Sequence, residues 1–138
     1  MRRATLSFLG LTALGILAYW GAVATRLVEM QELVPGFLPW FYSFPLADLW
    51  IAAASMLAIF SLRTKRVQSI VWLAAAGSGL LFLALNALLF GHNTGLLYQQ
   101  SVDEYIEIAI KVYSISVGAF FLWRALVIAG ESRKQVAT

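Results

Sequence analysis

The chain has 138 residues, 61% of them hydrophobic and 12% charged, a net charge of +3 and no cysteine. Soluble domains carry about 25% charged residues, and a chain this short cannot hide so much apolar side chain from water, so a membrane is its expected solvent. The missing cysteines exclude disulfides, thiol nucleophiles, CxxC redox pairs and thiolate metal sites, and the apolar runs argue against nucleic-acid binding.

The first apolar run covers residues 4–25. Arg2 and Arg3 ahead of it and Ala22-Val23-Ala24 at its end look like a signal peptide with a cleavage site. The run is long for the apolar part of such a peptide, and the expectation is a retained helix. Pro35, Pro39 and Pro45 then break helix. Residues 33–44 are expected to form a short interfacial segment, with Trp40, Phe41, Tyr42, Phe44 and Trp50 as an aromatic belt.

Three more runs follow, at 45–62, 69–90 and 105–129. Each of the four is long enough, at about 1.5 Å per residue, to cross about 30 Å of hydrocarbon. The runs are continuous rather than alternating, which favours helices over barrel strands. The expected fold is an all-α integral membrane protein, one domain of four transmembrane helices in an antiparallel bundle.

Orientation follows from Lys and Arg. Arg2 and Arg3 precede the first span, Arg63, Lys65 and Arg66 separate the second from the third, and Arg124, Arg133 and Lys134 lie near the end. The other two connections and the span ends beside them hold Glu29, Glu32, Asp48, Asp103, Glu104 and Glu107. Both termini are expected in the cytoplasm, in a plasma (inner) membrane, with the 27–44 and 91–104 loops outside.

Helices in lipid associate through small and polar faces. One such stripe can be traced on each span: Gly15, Tyr19, Ala22, Arg26 and Glu29; Asp48, Ala52, Ser55 and Ile59; Ala75, Gly79, Phe82 and Asn86; Glu107, Lys111, Ser114, Gly118 and Phe121. Their polar members gather toward the outer end. The expected site is an outward-facing cavity lined by Tyr19, Arg26, Asp48, Ser55, Asn86, Glu107, Lys111 and Ser114. There Asp48 and Glu107 would accept protons or hydrogen bonds, Arg26 and Lys111 would hold anionic groups, and Asn86 would fix orientation.

Each residue also has a plainer reading. Glu107 and Lys111, four apart in the favourable order, suit a structural ion pair. Asn86 suits interhelical glue. Asp103, Glu104 and Glu107 suit the dipole at a helix start. His92 suits a solvated loop, and Arg124 with Trp123 suits an anchor at the inner interface.

No HExxH, G-x-S-x-G, P-loop or GxGxxG motif occurs. The cysteines of vitamin K epoxide reductase-like proteins and the mid-span glutamate of small multidrug exporters are absent as well. No catalytic residue, metal site or cofactor is assigned. The leading expectation is binding or transport of a small polar or zwitterionic ligand. The alternatives are an accessory subunit of a larger membrane complex, and a lipid-modifying enzyme using Asp48 or Glu107. The expected partners are the bilayer and that ligand, with a homo-oligomer or a larger membrane partner left open.

Overall fold

A computed structural model describes residues 1–64 and 67–136, with side chains at all of these except 103 and 134–136. Lys65 and Arg66 of the basic connection, and the side chains of Asp103 and Lys134, therefore lie outside the described residues. All regular structure in the described chain is helical, with no strand: α1 (Arg2–Ala24), α2 (Phe37–Phe41), α3 (Pro45–Thr64), α4 (Gln68–Thr94), a single 3-10 turn (Leu96–Tyr98) and α5 (Val102–Val136).

Local chemistry sets the boundaries. Pro45 opens α3, where a missing N–H costs nothing, and Asp48 sits in its first turn, where the helix dipole favours an acid. Gly95 closes α4 in the left-handed region at φ 78°, a conformation open to glycine without a Cβ penalty.

The four long helices share one apolar core. Leu9 comes from α1, Ile51, Ala54 and Ala58 from α3, Leu73, Ala76 and Leu80 from α4, and Val117, Phe121, Ala125 and Ile128 from α5. Alanine is frequent in it because small side chains let helices approach closely where lipid supplies no hydrophobic drive. The most extensive helix contact is between α4 and α5, followed by α3 with α4 and α1 with α3. The backbones of α1 and α5 come close at few points. Side chains span that seam: Phe8 meets Phe120 edge-on at 5.6 Å, and the Thr12 and Tyr113 hydroxyls share a hydrogen bond of 2.9 Å.

The outside of the bundle is apolar. Leu14, Phe60, Phe82, Leu85, Leu89 and Leu126 are each 59–73% exposed. Four helices are long and apolar enough to cross a membrane. Apolar side chains turned outward around a packed core are the mark of a small integral membrane protein.

Two of the packing stripes differ from expectation. On α1 the buried face is Thr5, Leu9, Thr12, Ala13 and Val23, while Gly15 is exposed and Tyr19 is 38% exposed. The glycines of α1 mark no close approach, since nothing lies within 4 Å of a Cβ built on Gly10, Gly15 or Gly21. On α4 the buried face is Ser69, Leu73, Ala76, Gly77, Leu80, Ala84 and Gly91, and Phe82 points outward. Lying between α3 and α5, α4 needs two packing faces: Gly79 meets Ile51 of α3, and Gly77 meets α5.

The 33–44 segment is more than an interfacial strip. Phe37 and Phe41 of α2 are buried and form a second apolar cluster with Val23 and Leu96. Trp40 stacks on Phe90 of α4 at 4.0 Å and 9°. Tyr42 and Trp50 are exposed, at 54% and 55%.

Candidate functional site

Polar side chains converge where α1 ends and α3 and α5 begin. On α5, Glu104, Glu107 and Lys111 stand three, four and seven residues apart, which puts them on one face. The Lys111 Nζ lies 3.1 Å from Glu104 Oε1 and 2.9 Å from Glu107 Oε2. The Lys111 and Glu104 side chains are 5% and 8% exposed, against 41% for Glu107. Ser101 caps this end, its Oγ accepting from the Glu104 N–H at 3.1 Å. Ser101-x-x-Glu104 is the spacing of a capping box, yet the Glu104 carboxylate is turned to Lys111.

Asp48, half-buried in the first turn of α3, accepts a hydrogen bond of 2.7 Å from Trp20 Nε1 on α1. Neither Lys111 nor Arg26 is its hydrogen-bond partner. Tyr19, beside Trp20, lies within electrostatic reach of Asp48, Glu107 and Tyr42 and so links the α3 acid to the α5 triad. Asn86 accepts from Trp40 Nε1 at 3.2 Å, which ties α4 to α2.

The remaining expected residues are spread out. Ser55 is fully buried in the core, and its Oγ has no hydrogen-bond partner among the described residues. Ser114 is buried about one turn from Lys111 along α5. Arg26 is exposed at φ 57°, where a non-glycine residue is uncommon. It lines an open cleft of about 230 Å³ with Val23, Val28, Glu29, Met30 and Tyr42. A second open cleft, about 440 Å³ and mostly apolar, runs between Ala47, Trp50 and Ile51 of α3 and Ala75, Ser78 and Gly79 of α4. Neither cleft unites the eight residues. Tyr19, Asp48, Glu107 and Lys111 gather at one end of the bundle, while Ser55, Asn86 and Arg26 have separate surroundings.

Chemically, the convergence sets three carboxylates (Asp48, Glu104 and Glu107) against one ammonium. No group of three or more His, Asp or Glu side chains is placed to hold a metal among the described residues. His92 is exposed, with its Nδ1 2.6 Å from the Tyr98 hydroxyl.

Trp20 and Glu104 belong to this region and Trp40 holds Asn86 on α4, and none of the three is among the eight. The capping-box spacing together with Lys111 seven residues on is a readable signal for Glu104. The two tryptophans carry none, because their N–H partners depend on how the 25–44 segment folds back. No family model, curated protein or solved structure matches the chain.

Proposed function

We propose that this small membrane protein binds a small ligand with a positively charged end, a protonated amine or a zwitterion, at the outer end of its bundle. The observation that carries the reading is the triad on α5. Lys111 is buried between two carboxylates, so one negative charge stays uncompensated even before Asp48 is counted. Ionisable groups inside a membrane span are costly and mark ligand or proton pathways by default. A cationic group seated between Glu107, the most exposed member of the triad, and Asp48 would balance that charge.

The topology proposed with it has antiparallel helices, both termini in the cytoplasm of a plasma membrane, and α2 at the outer face. It is supported by basic residues near the ends of α1, α3 and α5 and acids at the opposite ends. The Arg2–Leu62 hydrogen bond joins the start of α1 to the end of α3, and Trp20–Asp48 joins the end of α1 to the start of α3. Single cysteines placed at Ser43, Gln99 and Ser132 of this cysteine-free chain test it with an impermeant maleimide. Labelling of the first two and protection of the third is expected from outside the cell.

The ligand reading is tested by melting the purified protein against a panel of amines and amino acids. At least one should raise the melting temperature of the wild type, while Glu107→Gln and Asp48→Asn should fold and lose that response. A panel that never shifts the wild type sinks the reading.

A second reading, an accessory subunit of a larger complex, is favoured by the internal pairing of the polar groups: Lys111 with Glu104 and Glu107, Asp48 with Trp20, Asn86 with Trp40. Recovery from its own membrane as a fixed-ratio complex would support it.

A further inference from the structure

At the opposite end of the bundle one buried charge has no partner among the described residues. Arg124 on α5 is 8% exposed, and no ion pair or hydrogen bond reaches it among the described residues. Its Nε is fully enclosed. Its one polar companion is the Trp123 ring, with Cζ 5.7 Å from the centroid. Lys111 on the same helix shows the contrast, since it is buried to a similar degree and takes two carboxylates.

Its burial makes this uncommon. Arg124 lies nine residues, about 13 Å, before Arg133, so the last turns of α5 run on past it. Its Nε is sealed inside the bundle, while its two terminal nitrogens are not among the enclosed atoms and are free to take an anion from outside it. A guanidinium cannot escape by losing its proton. A buried cation without a counter-charge is stable only if something anionic completes it.

The surroundings select the anion. The Phe8–Phe120 and Thr12–Tyr113 contacts run in opposite senses along α1 and α5. Arg124 is therefore level with the start of α1, where Arg2 and Arg3 stand. Arg2 reaches the end of α3 through Leu62 O, next to Arg63. Among the described residues Arg2, Arg3 and Arg63 thus share this end of the bundle with Arg124, and the planar fork of Arg124 matches two oxygens of a tetrahedral phosphoryl group.

We propose that Arg124 anchors a phosphoryl-binding site at the inner end of the bundle. The phosphoryl group completes the guanidinium that the protein leaves unpaired, and the neighbouring arginines draw it in. This site is independent of the outer acidic one.

The test compares wild type, Arg124→Gln and Arg63→Gln in maltoside micelles, which carry no phosphoryl group, alone, with phosphatidylglycerol added, or with inorganic phosphate in the buffer. Phosphatidylglycerol or phosphate should raise the melting temperature of wild type, raise that of Arg63→Gln less, and leave Arg124→Gln unmoved. Response to the lipid alone assigns the site to a headgroup, and response to phosphate assigns it to a soluble anion. In the micelles alone Arg124→Gln should melt no lower than wild type, because an uncompensated charge has been removed. Arg124→Lys keeps the charge and loses the fork, and should bind about ten- to a hundredfold more weakly. A wild type indifferent to both anions, or an Arg124→Gln variant that responds like wild type, overturns the proposal. If Arg124→Gln does not fold, the Arg124→Lys comparison decides: equal affinity with wild type overturns the site.

Discussion

Gly77 and Gly118 face each other across α4 and α5 so closely that each backbone occupies the other's side-chain space. A Cβ on Gly77 would stand 2.7 Å from the Gly118 carbonyl oxygen, and one on Gly118 would stand 2.9 Å from the Gly77 oxygen. Backbone cannot rotate aside as a side-chain tip can. Either Gly→Ala change must push the helices apart, at about 1–3 kcal/mol for overpacking. Gly118→Ala should lower the melting temperature in detergent. Gly15→Ala, with open space around it, should leave it level or raise it through better helix propensity. Equal effects at the two positions would refute the contact.

Lys111 and Glu104 should behave as a unit. Lys111→Met leaves a buried carboxylate unpaired, a loss of about 3–5 kcal/mol by analogy with buried pairs elsewhere. Glu107→Gln should cost about 1 kcal/mol or less, since Glu107 is 41% exposed and Lys111 keeps Glu104. The double variant Lys111→Met/Glu104→Gln should recover most of the single loss. Denaturant unfolding of Lys111→Met, Glu104→Gln and the double variant measures the coupling, and strict additivity would show that the pair is not interacting.

Trp40→Phe separates stacking from hydrogen bonding. The phenyl ring keeps its place against Phe90 but strands the Asn86 oxygen, at about 1–3 kcal/mol. Replacing Asn86 as well, in Trp40→Phe/Asn86→Leu, should restore stability. A double variant no better than the single would put the cost in ring packing instead.

Trp20→Phe and Asp48→Asn remove different halves of one bond. The amide that replaces the Asp48 carboxylate retains an oxygen for Trp20, so Asp48→Asn should be the milder change. Trp20→Phe leaves the acid without its 2.7 Å donor and should cost about 1–3 kcal/mol. Melting curves rank the pair, and the reverse order would mean that the charge of Asp48, not its hydrogen bond, matters to the fold.

The α5 face is legible from spacing alone. Lys111, Ser114, Gly118 and Phe121 are all buried on it, because their burial follows the helical period. The existence of four long apolar helices is legible for the same reason. The face of α1 is not. Small residues suggest contact points there, whereas α1 packs through Leu9 and Ala13 with two threonines beside them, and Thr5 spends its hydroxyl on the Met1 carbonyl. The partner of Asp48 is equally hidden, because Trp20 lies 28 residues away on a different helix. Arg124 reads as a surface anchor because its sequence neighbourhood is that of an interface, and only its burial separates it from one.

The seam between α1 and α5 has a mechanical consequence. The α1–α3, α3–α4 and α4–α5 contacts form a chain of three extensive backbone approaches, and the fourth side is bridged by Phe8, Phe120, Thr12 and Tyr113. That fourth edge is held by side chains rather than by backbone approach. Changes at Phe8, Phe120, Thr12 or Tyr113 therefore bear on it and leave the other three helix contacts in place.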